Sequence, residues 1–257
     1  MDVFNLEYLY DLAIKQREGL GTAYEYRVKL ELLHRMVTKM DRQPKSVLIA
    51  GLPEKYGYGM DLVLFSQDLQ AELTVLDERR DCLTHFDDLC QKLEITMDNH
   101  FQSLEILDWD NIPTNGCHDL VVSCEVLQRL NKAQQISYIR SLSQHGRIVA
   151  FFAPNAANKA HAKISGLEAI YLQELEALFD DNDLKLLDSG YIDAPPFPPG
   201  IKINHDENTQ QHTNGLLGKT AMVVLDGWTR IERMLPNPII KRVSHIIYAI
   251  GMPTLGP

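Results

Sequence analysis

From residue 46 onward, short apolar runs alternate with longer stretches of helical periodicity, and this alternation limits the fold more than any other feature. The runs at 46–50, 72–76, 104–107, 119–123, 147–153, 184–187 and 220–225 read as buried strands. Stretches at 60–69, 79–93, 131–143 and 171–180 instead repeat apolar residues every three or four positions, as amphipathic helices do. Before residue 46 the pattern is helical. Leu6, Leu9, Tyr10, Ala13 and Ile14 share one face, and Val28, Leu32 and Met36 another. Gly19 and Gly21 interrupt the period, so two helices joined through 19–22 are expected. Strands that alternate with helices build parallel βαβ units with right-handed crossovers. The expectation is an α/β fold: a doubly wound, mostly parallel seven-stranded sheet with added N-terminal helices. Such sheets hold ligands beyond the carboxyl ends of their strands.

The 257 residues are enough for one sizeable core. A formal charge of −10 argues against a bulk nucleic-acid binder, which needs a basic surface to neutralise phosphates. The first forty residues carry charges throughout and hold no apolar core of signal-peptide type. No stretch approaches the roughly 18 apolar residues of a membrane span. A cytoplasmic protein is therefore expected. Cys82, Cys90, Cys117 and Cys124 show no CxxC spacing, and the nine histidines form no HExxH motif, so no metal site is expected.

Four local features narrow the ligand. Val47-Leu48-Ile49-Ala50-Gly51 is a strand opening into a loop, where a glycine lets backbone approach a ligand closely. Asp77-Glu78 ends the second strand, 26 residues after Gly51. Asp108-Trp109 precedes Ile112-Pro113, and the run from His118 to Leu127 reads HDLVVSCEVL. Gly146 to Asn155 is a further apolar run, closed by Pro154-Asn155. In this order, over roughly residues 46 to 190, the segments resemble the class I S-adenosylmethionine-dependent methyltransferases, which have a Rossmann-like fold.

That resemblance implies S-adenosylmethionine as cofactor and assigns residues to it. Gly51, Pro53 and Tyr58 fall in the cofactor loop, with Pro53 standing where the family has its second glycine. Asp77 and Glu78 fall at the ribose, Asp108 and Trp109 at the adenine, and Cys124 at the end of the fourth strand. Asn155 and His161 lie near the methyl-transfer position. His161 has a near-neutral ordinary pKa and is the candidate base for a hydroxyl acceptor. Tyr24, Tyr26 and Asn158 are the candidate substrate contacts.

Three segments are expected: a helical cap at 1–45, the methyltransferase domain at 46–226, and a basic amphipathic segment at 227–257. Within the domain, 191–218 reads as a lid-like loop rich in proline and polar residues. From Trp228 onward four basic residues stand against one acid, Glu232. Ile239, Ile240, Val243, Ile246, Ile247 and Ile250 follow helical spacing, so a C-terminal amphipathic helix is expected. It could pack on its own domain, form a homodimer interface, or make peripheral contact with an anionic membrane. The expected function is methyl transfer to a small-molecule or lipid-like acceptor. The alternative is a non-catalytic scaffold or partner subunit that keeps the fold without turning over cofactor, and Pro53 is the feature that keeps it open.

Overall fold

The computed structural model describes residues 4–53, 57–93, 101–106, 108–109, 112, 116–166, 168–196 and 216–254. Seven strands form one sheet in the order β3-β2-β1-β4-β5-β7-β6. The strands are β1 (Ser46–Ala50), β2 (Glu72–Asp77), β3 (Phe101–Glu105), β4 (His118–Cys124), β5 (Gly146–Pro154), β6 (Leu184–Ile192) and β7 (Ile246–Pro253). β3, β2, β1, β4 and β5 run parallel, while β7 is antiparallel to both β5 and β6. β6 therefore runs with β5. The carboxyl ends of β1, β2, β4, β5 and β6 and the amino end of β7 share one edge. The expected seven-stranded, mostly parallel α/β architecture is what the chain adopts.

Strand side chains alternate between two covered faces. Val47 and Ile49 of β1 and Val75 of β2 join a core with α1 (Leu6–Lys15), α2 (Leu20–Val37), α3 (Met60–Asp68) and α4 (Arg80–Lys92). Leu48, Ala50, Val121 and Phe151 point the other way, against α5 (Lys132–His145) and α7 (Leu172–Asp180). A short helix, α6 (Lys159–Ser165), follows β5, and α8 (Leu216–Glu232) and α9 (Asn237–Val243) link β6 to β7. Because both faces are covered, the strands carry continuous apolar runs, which is why they were legible as strands.

Four local expectations need correction. Residues 220–225 lie within α8, not in a strand. Val223 and Val224 are exposed, while Leu225, Thr229 and Glu232 are buried at helical spacing. The expected helix from Ile239 through Ile250 stops at Val243. Ser244, fully buried, breaks it, and Ile246–Ile250 enter β7 between β5 and β6. A run so rich in isoleucine fits both periods, and two flanking strand edges decide for the sheet. β3 begins at Phe101, earlier than expected. Gly19 caps α2, so Gly21 lies inside that helix. The central part of the expected lid, 197–215, lies outside the described residues.

Candidate functional site

Two groups of polar residues gather at the carboxyl edge of the sheet, one over β1 and β2 and one over β5, β6 and β7.

The first is organised by Gly51. Its φ of +84° lies in the left-handed region. A Cβ there would stand 2.3 Å from Val126 Cγ2 and 3.3 Å from Arg129 Nη2. The chain turns through Leu52 and Pro53, both buried, and re-enters α3 through Tyr58 and Gly59, both at positive φ. Asp77 is fully buried where β2 ends and fixes this turn: the Leu52 N–H donates to its Oδ2 at 2.7 Å. Arg79 claims the rest. Its backbone N–H and Nε both donate to Asp77 Oδ1 at 2.8 Å, and its Nη2 donates to Asp77 Oδ2 at 2.8 Å and to Leu52 O at 2.7 Å. Burial works against the Arg79 charge, and the bonds to Asp77 more than offset it, so its pKa is raised.

Arg129 follows β4 in a single 3₁₀ turn, Leu127–Arg129, and its side chain crosses over Gly51. Its Nη1 lies 3.5 Å from Glu78 Oε1 and its Nη2 4.0 Å from Asp77 Oδ2. None of its three guanidinium nitrogens makes a hydrogen bond among the described residues, although all are buried. Trp109 packs edge-on to Tyr138 with ring centroids 4.7 Å apart. The Tyr138 hydroxyl donates to Ala50 O at 2.6 Å and pairs with Ser123 Oγ at 2.8 Å, tying this wall to β1 and β4. Asp108 is exposed beside Trp109. Tyr58 packs on His85, with centroids 4.6 Å apart.

The second group begins at Cys124, buried at the end of β4, where burial pushes its thiol pKa up. Electrostatically coupled to it is a buried ion triad: Lys29 Nζ of α2 lies 2.8 Å from Glu25 Oε1 and 2.9 Å from Asp61 Oδ2 of α3. Burial opposes the Lys29 charge, and Asp61 and Glu25 overcome it, holding its pKa above the ordinary value. Glu25 is raised by burial, against the pull of Lys29. Beyond β6, Asp193 Oδ2 pairs with His245 Nδ1 at 2.9 Å. His161 stacks on His245 at 4.1 Å between centroids, 17° from parallel. Burial and the neighbouring His245 lower the His161 pKa to about 4. Burial would lower His245 too, but Asp193 reverses that and raises it.

Of the residues singled out from sequence, Gly51, Pro53, Asp77, Glu78 and Trp109 come together with Arg79 and Arg129, while Cys124 and His161 border the second group. Asn155 and Asn158 are taken up by structure. The Asn155 amide donates to Lys241 O and Ser244 O, both at 2.9 Å, and Asn158 donates to Val243 O at 2.9 Å and caps the His161 N–H at 3.0 Å. Tyr24 and Tyr26 are fully buried in α2. Tyr24 donates a hydrogen bond to Glu232, and Tyr26 donates to Gln16 at 3.0 Å. Sequence reasoning missed Arg79, Lys29, Asp61, Asp193 and His245. An acid just past a strand's carboxyl end was the available signal for Asp193. Nothing local pairs it with a histidine 52 positions away.

No family model matches the chain, and no curated protein matches it by sequence. Solved structures do match by shape. The methyltransferase domain of bacterial CtHen1 aligns with a TM-score of 0.55 at 13% identity, over 88% of this chain and 98% of that one. Magnesium protoporphyrin IX methyltransferase (ChlM) from Synechocystis PCC 6803, with bound SAH, gives 0.55 at 11%, over 90% and 84%. The 4+2 cyclase SpnF gives 0.54 at 11%, over 91% and 82%. The chain thus has the class I methyltransferase fold. Identities this low speak to the fold alone, and the names on that fold include a cyclase, so the reaction rests on the site.

Proposed function

We propose that this chain is an S-adenosylmethionine-dependent methyltransferase acting on a small-molecule or lipid-like acceptor. One observation carries the reading. Around the carboxyl ends of β1, β2 and β4, buried polar atoms have no hydrogen-bond partner among the described residues: Trp109 Nε1, both polar atoms of the Gln128 amide, the Arg129 guanidinium nitrogens and Glu78 Oε2. Each such orphan costs about 1–3 kcal/mol, and a ligand with an aromatic ring polar at its edge and vicinal hydroxyls would satisfy them together. An adenosine moiety is such a ligand. Gly51, lacking a Cβ and already in the left-handed region, offers backbone for close approach.

The fit modifies the expected contacts. Asp77 has no oxygen left to offer, since Leu52 and Arg79 take both. Glu78 is the carboxylate with an uncommitted oxygen for ribose hydroxyls. Bound S-adenosylmethionine would supply a methyl already activated by its sulfonium. The chain's work is then to position the acceptor and exclude water. For an acceptor that must lose a proton, His245 is the base, with Asp193 orienting its ring through Nδ1. Neutral His161 covers its face. Asn155 and Asn158 support the turn that carries His245.

A second reading, a non-catalytic scaffold on the same fold, is favoured by the Arg79 clamp and by Pro53. Native mass spectrometry of the purified protein tests both. Retained S-adenosylmethionine or its demethylated product supports the enzyme. A retained nicotinamide dinucleotide overturns it, and a protein with no ligand that also ignores added cofactor supports the scaffold.

A further inference from the structure

Among the described residues, nothing covers a set of apolar side chains on α8 and α9. On α8 the exposed positions 223, 224, 227, 230 and 231 recur at helical spacing, opposite buried Leu225, Thr229 and Glu232, and exposed Met234 follows in the turn after the helix. Val223 is 73% and Met234 82% exposed, and Val224, Ile231, Ile239 and Val243 are exposed beside them. Five large apolar side chains on two consecutive helices, with Met234 in the turn between them, exceed the single exposed residues that are normal on a surface.

The charges around this face have one predominant sign. Arg230, Lys241 and Arg242 make no ion pair among the described residues, while Arg233 pairs with Glu31 and Asp226 with Arg27, within a chain of net charge −10. A cavity of about 940 Å³ between α1, α2 and α8 is lined by Glu7, Glu31 and Asp226 as well as Arg27 and Arg233, and also by Arg35 and Arg230. Neither forms an ion pair among the described residues. We infer that this face docks on an anionic phospholipid bilayer. The apolar side chains enter the interface, and Arg35, Arg230, Lys241 and Arg242 meet headgroup phosphates.

A second copy suits the face poorly, because an isologous pairing would set these cations against themselves. A span is excluded among the described residues, where no helix is long and apolar enough to cross a membrane. The face also adjoins the candidate site: the Asn155 and Asn158 amides bond Lys241 O and Val243 O of α9. Docking would therefore bring the His245 side of the site close to the lipid surface.

Flotation of the full-length protein tests this with phosphatidylcholine vesicles and with equimolar phosphatidylcholine–phosphatidylglycerol vesicles. Binding to the anionic vesicles alone is expected, falling with added salt. Ile231→Asp combined with Met234→Asp should weaken it about tenfold, and so should Arg230→Glu combined with Arg242→Glu. All four positions are exposed, and unchanged melting temperatures would show that the variants fold. The inference is overturned if the wild type floats with neither vesicle, floats equally with both, or is matched by the folded variants. No arm contains S-adenosylmethionine, so the result is independent of the methyltransferase reading.

Discussion

Arg79 grips Asp77 with two prongs, Nε on Oδ1 and Nη2 on Oδ2, each at 2.8 Å, at the point where β2 delivers its acid to the ligand edge. The acid expected to face the ribose is instead a fixed part of the loop. It holds the Leu52 N–H and, through Arg79, the Leu52 carbonyl. Asp77→Ala would leave those groups and a partly buried guanidinium without partners. It should cost about 2–4 kcal/mol in urea unfolding. Arg79→Ala breaks the same pair from the other side and leaves the fully buried Asp77 carboxylate with backbone N–H donors alone, so it should cost a similar amount, about 2–4 kcal/mol. A much smaller loss from Arg79→Ala than from Asp77→Ala would show that the clamp is not what Asp77 is for.

Gly51→Ala probes the backbone directly. The added Cβ meets Val126 at 2.3 Å with φ at +84°, so neither a rotamer change nor a small shift relieves it. Strain and overpacking together should lower stability by about 2–4 kcal/mol. The same change at Gly59, also at positive φ but with nothing closer than 3.9 Å, should cost only the backbone strain, about 1–2 kcal/mol. The ordering, read from urea midpoints, is the test.

The stacked histidines should titrate far apart. His161 is lowered from 6.5 to about 4, so on acidification the unfolded state takes this proton first. Between those values its contribution to stability falls as pH falls. His245 is raised, so its contribution is present below pH 6.5 and is lost as pH rises through its folded pKa. Proton NMR of the imidazole Cε1 resonances should give midpoints on opposite sides of 6.5. Asp193→Asn should bring the His245 midpoint down. Two coincident midpoints near 6.5 would refute the stacked, Asp193-oriented arrangement.

Glu232 joins α8 to α2 by accepting from Tyr24, and it accepts the Ala194 N–H at 3.1 Å. Burial lifts its pKa from 4.5 to about 7. Its neutral form is the one the fold prefers. The associated stability is complete below pH 4.5 and fades as pH rises through 7. Glu232→Gln mimics the protonated form. It should change the melting temperature little well below pH 7 and raise it relative to wild type well above. A difference independent of pH would contradict this.

The sheet was legible because its strands are buried on both faces and carry unbroken apolar runs between amphipathic helices. The errors fall where one composition serves two periods. The isoleucines from 239 to 250 fit a helix until β5 and β6 claim the second half as β7. Val223 and Val224 read as a strand but lie on an exposed helical face. In the site, Gly51, Asp77 and Glu78 stand at or just past strand ends, where such folds place ligands, and they and Trp109 were singled out through the family resemblance of their segments. Asp193–His245 and Lys29–Asp61 are pairs made by tertiary structure between distant segments, and no local pattern announces them. Asp119 makes the complementary point. It lies in the most family-like stretch of the sequence, yet it staples the amino end of β4 by accepting from Lys45 N–H at 2.9 Å and from Arg42 at 2.7 Å.

The central claim is that the orphaned polar groups over β1, β2 and β4 take an S-adenosyl ligand. Isothermal titration calorimetry with S-adenosylhomocysteine addresses it on wild type, Glu78→Gln and Arg79→Ala. Saturable binding to the wild type is predicted, weakened about tenfold in Glu78→Gln by loss of a charge-assisted hydrogen bond. Binding to Arg79→Ala should be tighter than wild type, because an Asp77 oxygen is released. Absence of heat from both the wild type and a folded Arg79→Ala protein would contradict the claim and leave the scaffold reading in its place.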